Sequence, residues 1–129
     1  MPALQQLKVM VVDRDPRHRI GLVECLNAVG IAAVGTSGDG EAALMSLMAR
    51  PCDAVFLTRQ LPRLGGPQLL KALRAQHTAQ QCRAILVVDS DDAAAALQGR
   101  ALGFDATLPR PFTPSMVLAV LESLLGRLS

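Results

Sequence analysis

Five short apolar runs alternate with five segments whose apolar residues recur at helical spacing, and that alternation constrains the fold more than any other feature. The runs lie at 7–12, 31–34, 54–57, 85–88 and 104–108. Strands alternating with helices imply a parallel sheet covered on both faces, joined by right-handed crossovers. The run Ala54-Val55-Phe56-Leu57 is apolar throughout, as a central strand buried on both faces requires. Asp15 is placed to cap helix one, with Pro16 at its first position, Ile20, Val23, Leu26 and Val29 inward, and Gly30 at its end. Gly35 ends the second strand, and Asp39 caps helix two, which runs to about 49 with Ala43, Leu44, Leu47 and Met48 inward. Pro67 opens helix three, whose inner face is Leu69, Leu70 and Leu73. Ser90 or Asp91 caps an alanine-rich fourth helix over 92–102, ended by Gly103. Pro109-Arg110-Pro111 breaks the chain before helix five, which starts at Thr113 and Pro114 and turns Met116, Val117, Val120, Leu121 and Leu124 inward.

The 129 residues are expected to form one domain, 1–129, with its core over 7–126. That length buries about two thirds of the unfolded surface, so no metal or disulfide staple is needed. No apolar run approaches the ~18 residues of a membrane span, and the start of the chain lacks a signal-peptide pattern, so a cytoplasmic protein with no membrane contact is expected. Cys25, Cys52 and Cys82 fit no metal-ligand spacing and read as plain thiols. Net charge is only +2, and without Trp or Tyr the chain has little on which bases could stack, so no nucleic-acid contact is expected.

The segments 11–16 (VVDRDP), 38–44 (GDGEAAL), 53–66 (DAVFLTRQLPRLGG), 101–105 (ALGFD) and 109–112 (PRPF) together resemble the receiver domains of bacterial response regulators, in order and over essentially the whole chain. The resemblance implies a flavodoxin-like α/β fold, a five-stranded parallel sheet of order 2-1-3-4-5 with five flanking helices. It also implies a chemistry. In that family an acidic pair after strand one and an aspartate after strand three hold Mg2+, and that third aspartate accepts a phosphoryl group. A Thr or Ser after strand four and a Lys after strand five bind the phosphoryl oxygens.

This chain departs at nearly every one of those positions. Asp13 remains of the acidic pair, but Arg14 stands where the second acid belongs. Thr58 takes the acceptor position, Asp89 the hydroxyl position, Arg110 the lysine position, and Thr107 the position of the family's aromatic switch. The family's four charged positions sum to −2, whereas Asp13, Arg14, Asp89 and Arg110 sum to zero. Arg14 is expected to fill the metal's space and pair with Asp13 or Asp89. Charges about 4 Å apart interact by about 4 kcal/mol at an effective dielectric near 20, so Mg2+ binding is expected to be weak or lost. Thr58 offers a neutral hydroxyl that fills space and hydrogen-bonds, with no adjacent base to activate it. Asp53 is no substitute, because it sits at the other end of its strand, roughly 16 Å away. His18 reads as a surface residue, His77 as a helix-terminus residue near the end of helix three, and Gly65-Gly66 as a tight turn. The resemblance alone implies a cis Arg110-Pro111 bond.

These readings lead to an atypical receiver in two-component or phosphorelay signalling. It is not an enzyme, carries no cofactor, and works as a phosphorylation-independent protein-interaction module. The family docks partners, and dimerises, through the face of helix four, strand five and helix five. Gln98, Arg100, Arg110, Ser115, Glu122 and Arg127 are the exposed candidates there, and a homodimer is one expected use. Two alternatives stay open: a working receiver that phosphorylates a non-standard acid, and a small-ligand domain in which Arg14 and Arg110 hold an anion.

Overall fold

A computed structural model describes residues 3–77 and 79–128. After a short 3-10 turn, Leu4–Gln6, the elements run β1 (Lys8–Val12), α1 (Pro16–Ala28), β2 (Ala33–Ser37), α2 (Gly40–Ala49), β3 (Ala54–Leu57), α3 (Gly66–Arg74), β4 (Arg83–Asp89), α4 (Ala93–Ala101), β5 (Ala106–Arg110) and α5 (Pro114–Leu125). All strand pairs are parallel, in the order β2-β1-β3-β4-β5. This is the five-stranded, flavodoxin-like sheet that the alternation and the resemblance imply. Each face of the sheet has its own core. One holds Met10, Val12, Val55, Leu57 and Leu86 with Leu47, Leu69 and Leu73. The other holds Val9, Val11, Phe56 and Ile85 with Leu22, Leu26, Val117 and Leu121. Residues 54–57 supply side chains to both, and all four are buried. Each large apolar side chain buried in this way contributes about 1.5–3 kcal/mol.

The caps follow the sequence closely. The side chains of Asp15, Asp39 and Thr113 accept from the backbone N–H groups of Arg17, Ala42 and Met116. Helix four is capped by Asp92, one residue beyond the expected pair. Four expectations need correction. Helix one turns Leu22 and Leu26 inward, while Ile20 is 59% exposed, because the true seam follows an i, i+4 pair. Met48 and Met116 likewise face outward. Strand two lies at 33–37, not 31–34, and Gly35 is inside it; a Cβ there would stand 3.3 Å from the Met10 methyl, so the missing side chain makes room for a core residue. Strand five runs on through Pro109 and Arg110 rather than stopping at 108. It is an edge strand, where a proline forfeits no ladder bond on its open side.

That last shift matters for the site. Pairing Val88 with Pro109 and Asp89 with Arg110 carries the arginine to the carboxyl end of the sheet. The ends of β1, β3, β4 and β5 there present Asp13, Thr58, Asp89 and Arg110 along one rim, where open α/β sheets place their working crevice. The segment between β3 and α3 folds close against them. At Gly66 a Cβ would drive into the Thr58 carbonyl, and its N–H donates to the Arg59 carbonyl at 2.8 Å. Here glycine is required by close backbone approach; the positive φ in this loop belongs to Arg63.

Candidate functional site

Asp13 directly follows β1, and its N–H donates to the Ser37 carbonyl at 3.0 Å, which fixes it at the mouth of the β1–β2 ladder. It is the one charged residue among the described residues that is buried, at 6% exposure. A buried carboxylate must be paired and hydrogen-bonded. Its Oδ1 accepts from the Asp15 N–H at 2.9 Å, and its Oδ2 from Arg110 Nη2 at 2.6 Å. The other arm of the same guanidinium, Nη1, donates to Asp89 Oδ1 at 3.3 Å. One cation thus bridges the ends of β1 and β4 from the end of β5. The two contacts differ in weight, because the Asp13 side chain is 9% exposed and that of Asp89 is 72%.

The expected pairing role therefore falls to Arg110 and not to Arg14. Arg14 is exposed and forms no ion pair among the described residues. Arg14 stands at the wall of the same crevice, exposed to solvent, without reaching Asp13 or Asp89. Arg110-Pro111 is cis, as the resemblance implies. Thr58 donates its N–H to the Val12 carbonyl at 3.2 Å, but its Oγ1 is buried without a hydrogen-bond partner, against the expectation that it hydrogen-bonds. Asp53 is at the opposite end of β3, accepting from the Lys8 N–H at 2.8 Å. Asp15 caps α1 and is gripped by Arg17, whose side-chain hydrogen bonds hold its carboxyl below the usual range.

One residue is closer to the site than its sequence position suggests. His18 Nδ1 lies 3.6 Å from Asp13 Oδ2 and 3.7 Å from Asp15 Oδ2. The signal was available: a residue three beyond the helix cap returns to the capping side chain one turn later. Together these groups line an open cavity of about 650 Å3 that also takes in Arg59 and Asp92.

A hard divalent cation requires several anionic oxygens converging on one point. Here the single inward carboxylate already bonds to a guanidinium, the group at the end of β3 is a neutral hydroxyl, and Asp15 is held by Arg17. No set of three His, Cys, Asp or Glu side chains among the described residues is arranged to hold a metal ion.

The rest of the expected surface is partly engaged within the chain. Gln98 accepts from Arg59 at 2.6 Å, Glu122 accepts from the Leu128 N–H at 2.9 Å, and Arg110 is half-buried in the ion pairs above. Arg100, Ser115 and Arg127 are exposed. Thr107 is half-buried beside a cleft of about 180 Å3 between α4 and β5, lined by Leu97, Arg100 and Phe104.

The family profile of the response regulator receiver domain matches residues 9–122. The chain is 26% identical over 128 residues to a probable chemotaxis protein CheY of Rhizobium etli, covering 99% of both. It is 32% identical over 130 residues to a probable transcriptional regulatory protein NarL of Mycobacterium tuberculosis, covering 98% of this chain but 58% of that one. The chain thus matches one relative end to end and spans a little over half the length of others. Among solved structures, a putative response regulator from Chloroflexus aurantiacus superposes with a TM-score of 0.86 at 24% identity, covering 94% of this chain and 98% of that one. The chemotaxis response regulator CheY4 of Vibrio cholerae superposes at 0.81 with 25% identity, covering 92% and 98%.

Proposed function

This chain belongs to the response regulator receiver domain family of two-component signalling, and from that premise we propose that it is a degenerate receiver, one that binds protein partners without being switched by aspartyl phosphate. One observation carries the reading. Arg110 bridges Asp13 and Asp89 while the residue at the acceptor position is Thr58, a hydroxyl with no base beside it. Phosphoryl capture needs an ionised oxygen nucleophile and a metal to neutralise the transferred charge. The arrangement favours neither. A fixed guanidinium instead compensates the buried carboxylate, so Mg2+ binding is lost or weak and the domain performs no catalysis of its own. Asp53, at the far end of β3 and bonded to Lys8, does not offer a replacement acceptor.

The working surface in this reading is the α4–β5–α5 face, with Arg100 and Arg127 exposed on it, acting in the cytoplasm without membrane or nucleic-acid contact. No helix among the described residues is long and apolar enough to cross a membrane. Thr107 lacks the aromatic bulk whose reorientation would give the face two states. Replacing Arg100 and Arg127 together with alanine is expected to abolish partner capture; a doubly substituted protein that retains all its partners would move the interface elsewhere. The site itself is tested by an amide NMR titration with Mg2+. The expected result is no saturable shift at Asp13, Thr58 or Asp89, and saturable shifts clustered there would refute the reading.

A further inference from the structure

The two edges of the sheet are treated differently. β5 carries Pro109 and Arg110, residues that discourage a further strand. β2, the other edge, reads Ala33-Val34-Gly35-Thr36-Ser37, with no charge and no proline. The Ser37 carbonyl accepts from Asp13 on the β1 side, so by the alternation of a strand Thr36 turns its backbone groups outward, while the Val34 N–H donates to the Ala32 carbonyl at 3.1 Å. Ala33, Gly35 and Thr36 are exposed. Beside them a groove of about 950 Å3 runs between β2 and α2, with Met10 in its floor and the small residues Ser46 and Ala49 in its wall. On the opposite face, Ile20 is 59% exposed and follows Arg19, whose guanidinium packs against Gly38 just past β2.

We infer that two copies of this chain join through β2, antiparallel about a two-fold axis, into one continuous sheet. Charge placement selects this occupant. Glu41 lies in the first turn of α2 and Arg50 is its C-cap, and neither forms an ion pair among the described residues. An antiparallel two-fold sets Glu41 of each copy toward Arg50 of the other and opposes the two helix dipoles favourably. A parallel pairing would turn the second sheet over and place the two α2 helices on opposite faces, where neither charge meets a partner. The edge itself presents no charge that its own copy would repel. The seam leaves both α4–β5–α5 faces at the outer ends, so a dimer would offer two docking faces and gain avidity for a divalent partner. This inference stands apart from the absence of phosphorylation and does not depend on it.

The test is sedimentation velocity on the full chain across micromolar to near-millimolar concentration, with Thr36→Pro, Glu41→Arg, Arg50→Glu and the double charge swap. The native chain is expected to form a reversible dimer. Thr36→Pro removes an outward N–H in each copy and is expected to weaken association about tenfold. Each single charge change is expected to weaken it several-fold, and the double swap to restore it. If circular dichroism shows that Thr36→Pro has lost its fold, the charge series decides alone. A chain that stays monomeric throughout would overturn the inference. So would a dimer indifferent to all three single changes, or one dissolved by Arg100→Ala instead.

Discussion

Asp13 and Arg110 make the contact on which the site's electrostatics rests, 2.6 Å apart with both side chains largely shielded from water. Removing the cation leaves a carboxylate buried without its charge partner. Arg110→Met is expected to cost about 2–4 kcal/mol in chemical denaturation, much of it recovered by adding Asp13→Asn. Asp89→Ala, at an exposed pair, is expected to cost less than ~1 kcal/mol. Cys82 gives a second residue-scale prediction. Burial pushes its thiol up to about 12. Its neutral form is therefore favoured by folding, a contribution intact below the ordinary thiol range near 9 and lost as pH rises from there toward 12. Cys82→Ala should flatten the alkaline limb of the stability profile, and in the native chain Cys82 should react with maleimide more slowly than the part-exposed Cys25 and Cys52. At this scale the residue types in the site were legible from sequence, but their partners were not. The choice between Arg14 and Arg110 depends on which way each side chain leaves its strand end, and a linear spacing leaves that open. The position of His18, three beyond the cap, points to Asp15, whereas its approach to Asp13 is set by the turn into α1 and not by a motif.

Among the elements, those with strong local signals appear where the sequence places them: β3, α3 and the starts of α1, α2 and α5, each marked by an unbroken apolar run or a cap followed by proline or an acid. The edge strands were harder. β2 and β5 are each one-sided, contain Gly35 or Pro109, and owe their extent to pairing with β1 and β4 rather than to propensity. The loop between β3 and α3 yields the prediction at this scale. Gly66→Ala forces a side chain into the Thr58 carbonyl, and backbone cannot rotate away as a side chain can. The variant is expected to lose about 1–3 kcal/mol in thermal or chemical unfolding. Gly103→Ala meets no such contact but needs a positive φ, so it is expected to lose only about 1 kcal/mol.

For the molecule as a whole, the sheet brings four strand ends to one rim and spends its inward charges on each other. The fold is that of a receiver; in the proposed reading its rim is a fixed arrangement and not a switched one. Restoring one residue is then insufficient. Thr58→Asp alone is expected to leave Mg2+ unbound, because Arg110 still holds Asp13; combining it with Arg14→Asp and Arg110→Lys is expected to produce a measurable Mg2+ affinity by the same NMR titration. The most direct measurement is intact-mass spectrometry of the native chain after incubation with Mg2+ and a small-molecule phosphodonor. A degenerate receiver predicts a single unmodified mass. A stoichiometric adduct of one phosphoryl group, mapped to any acid at the rim, would contradict it.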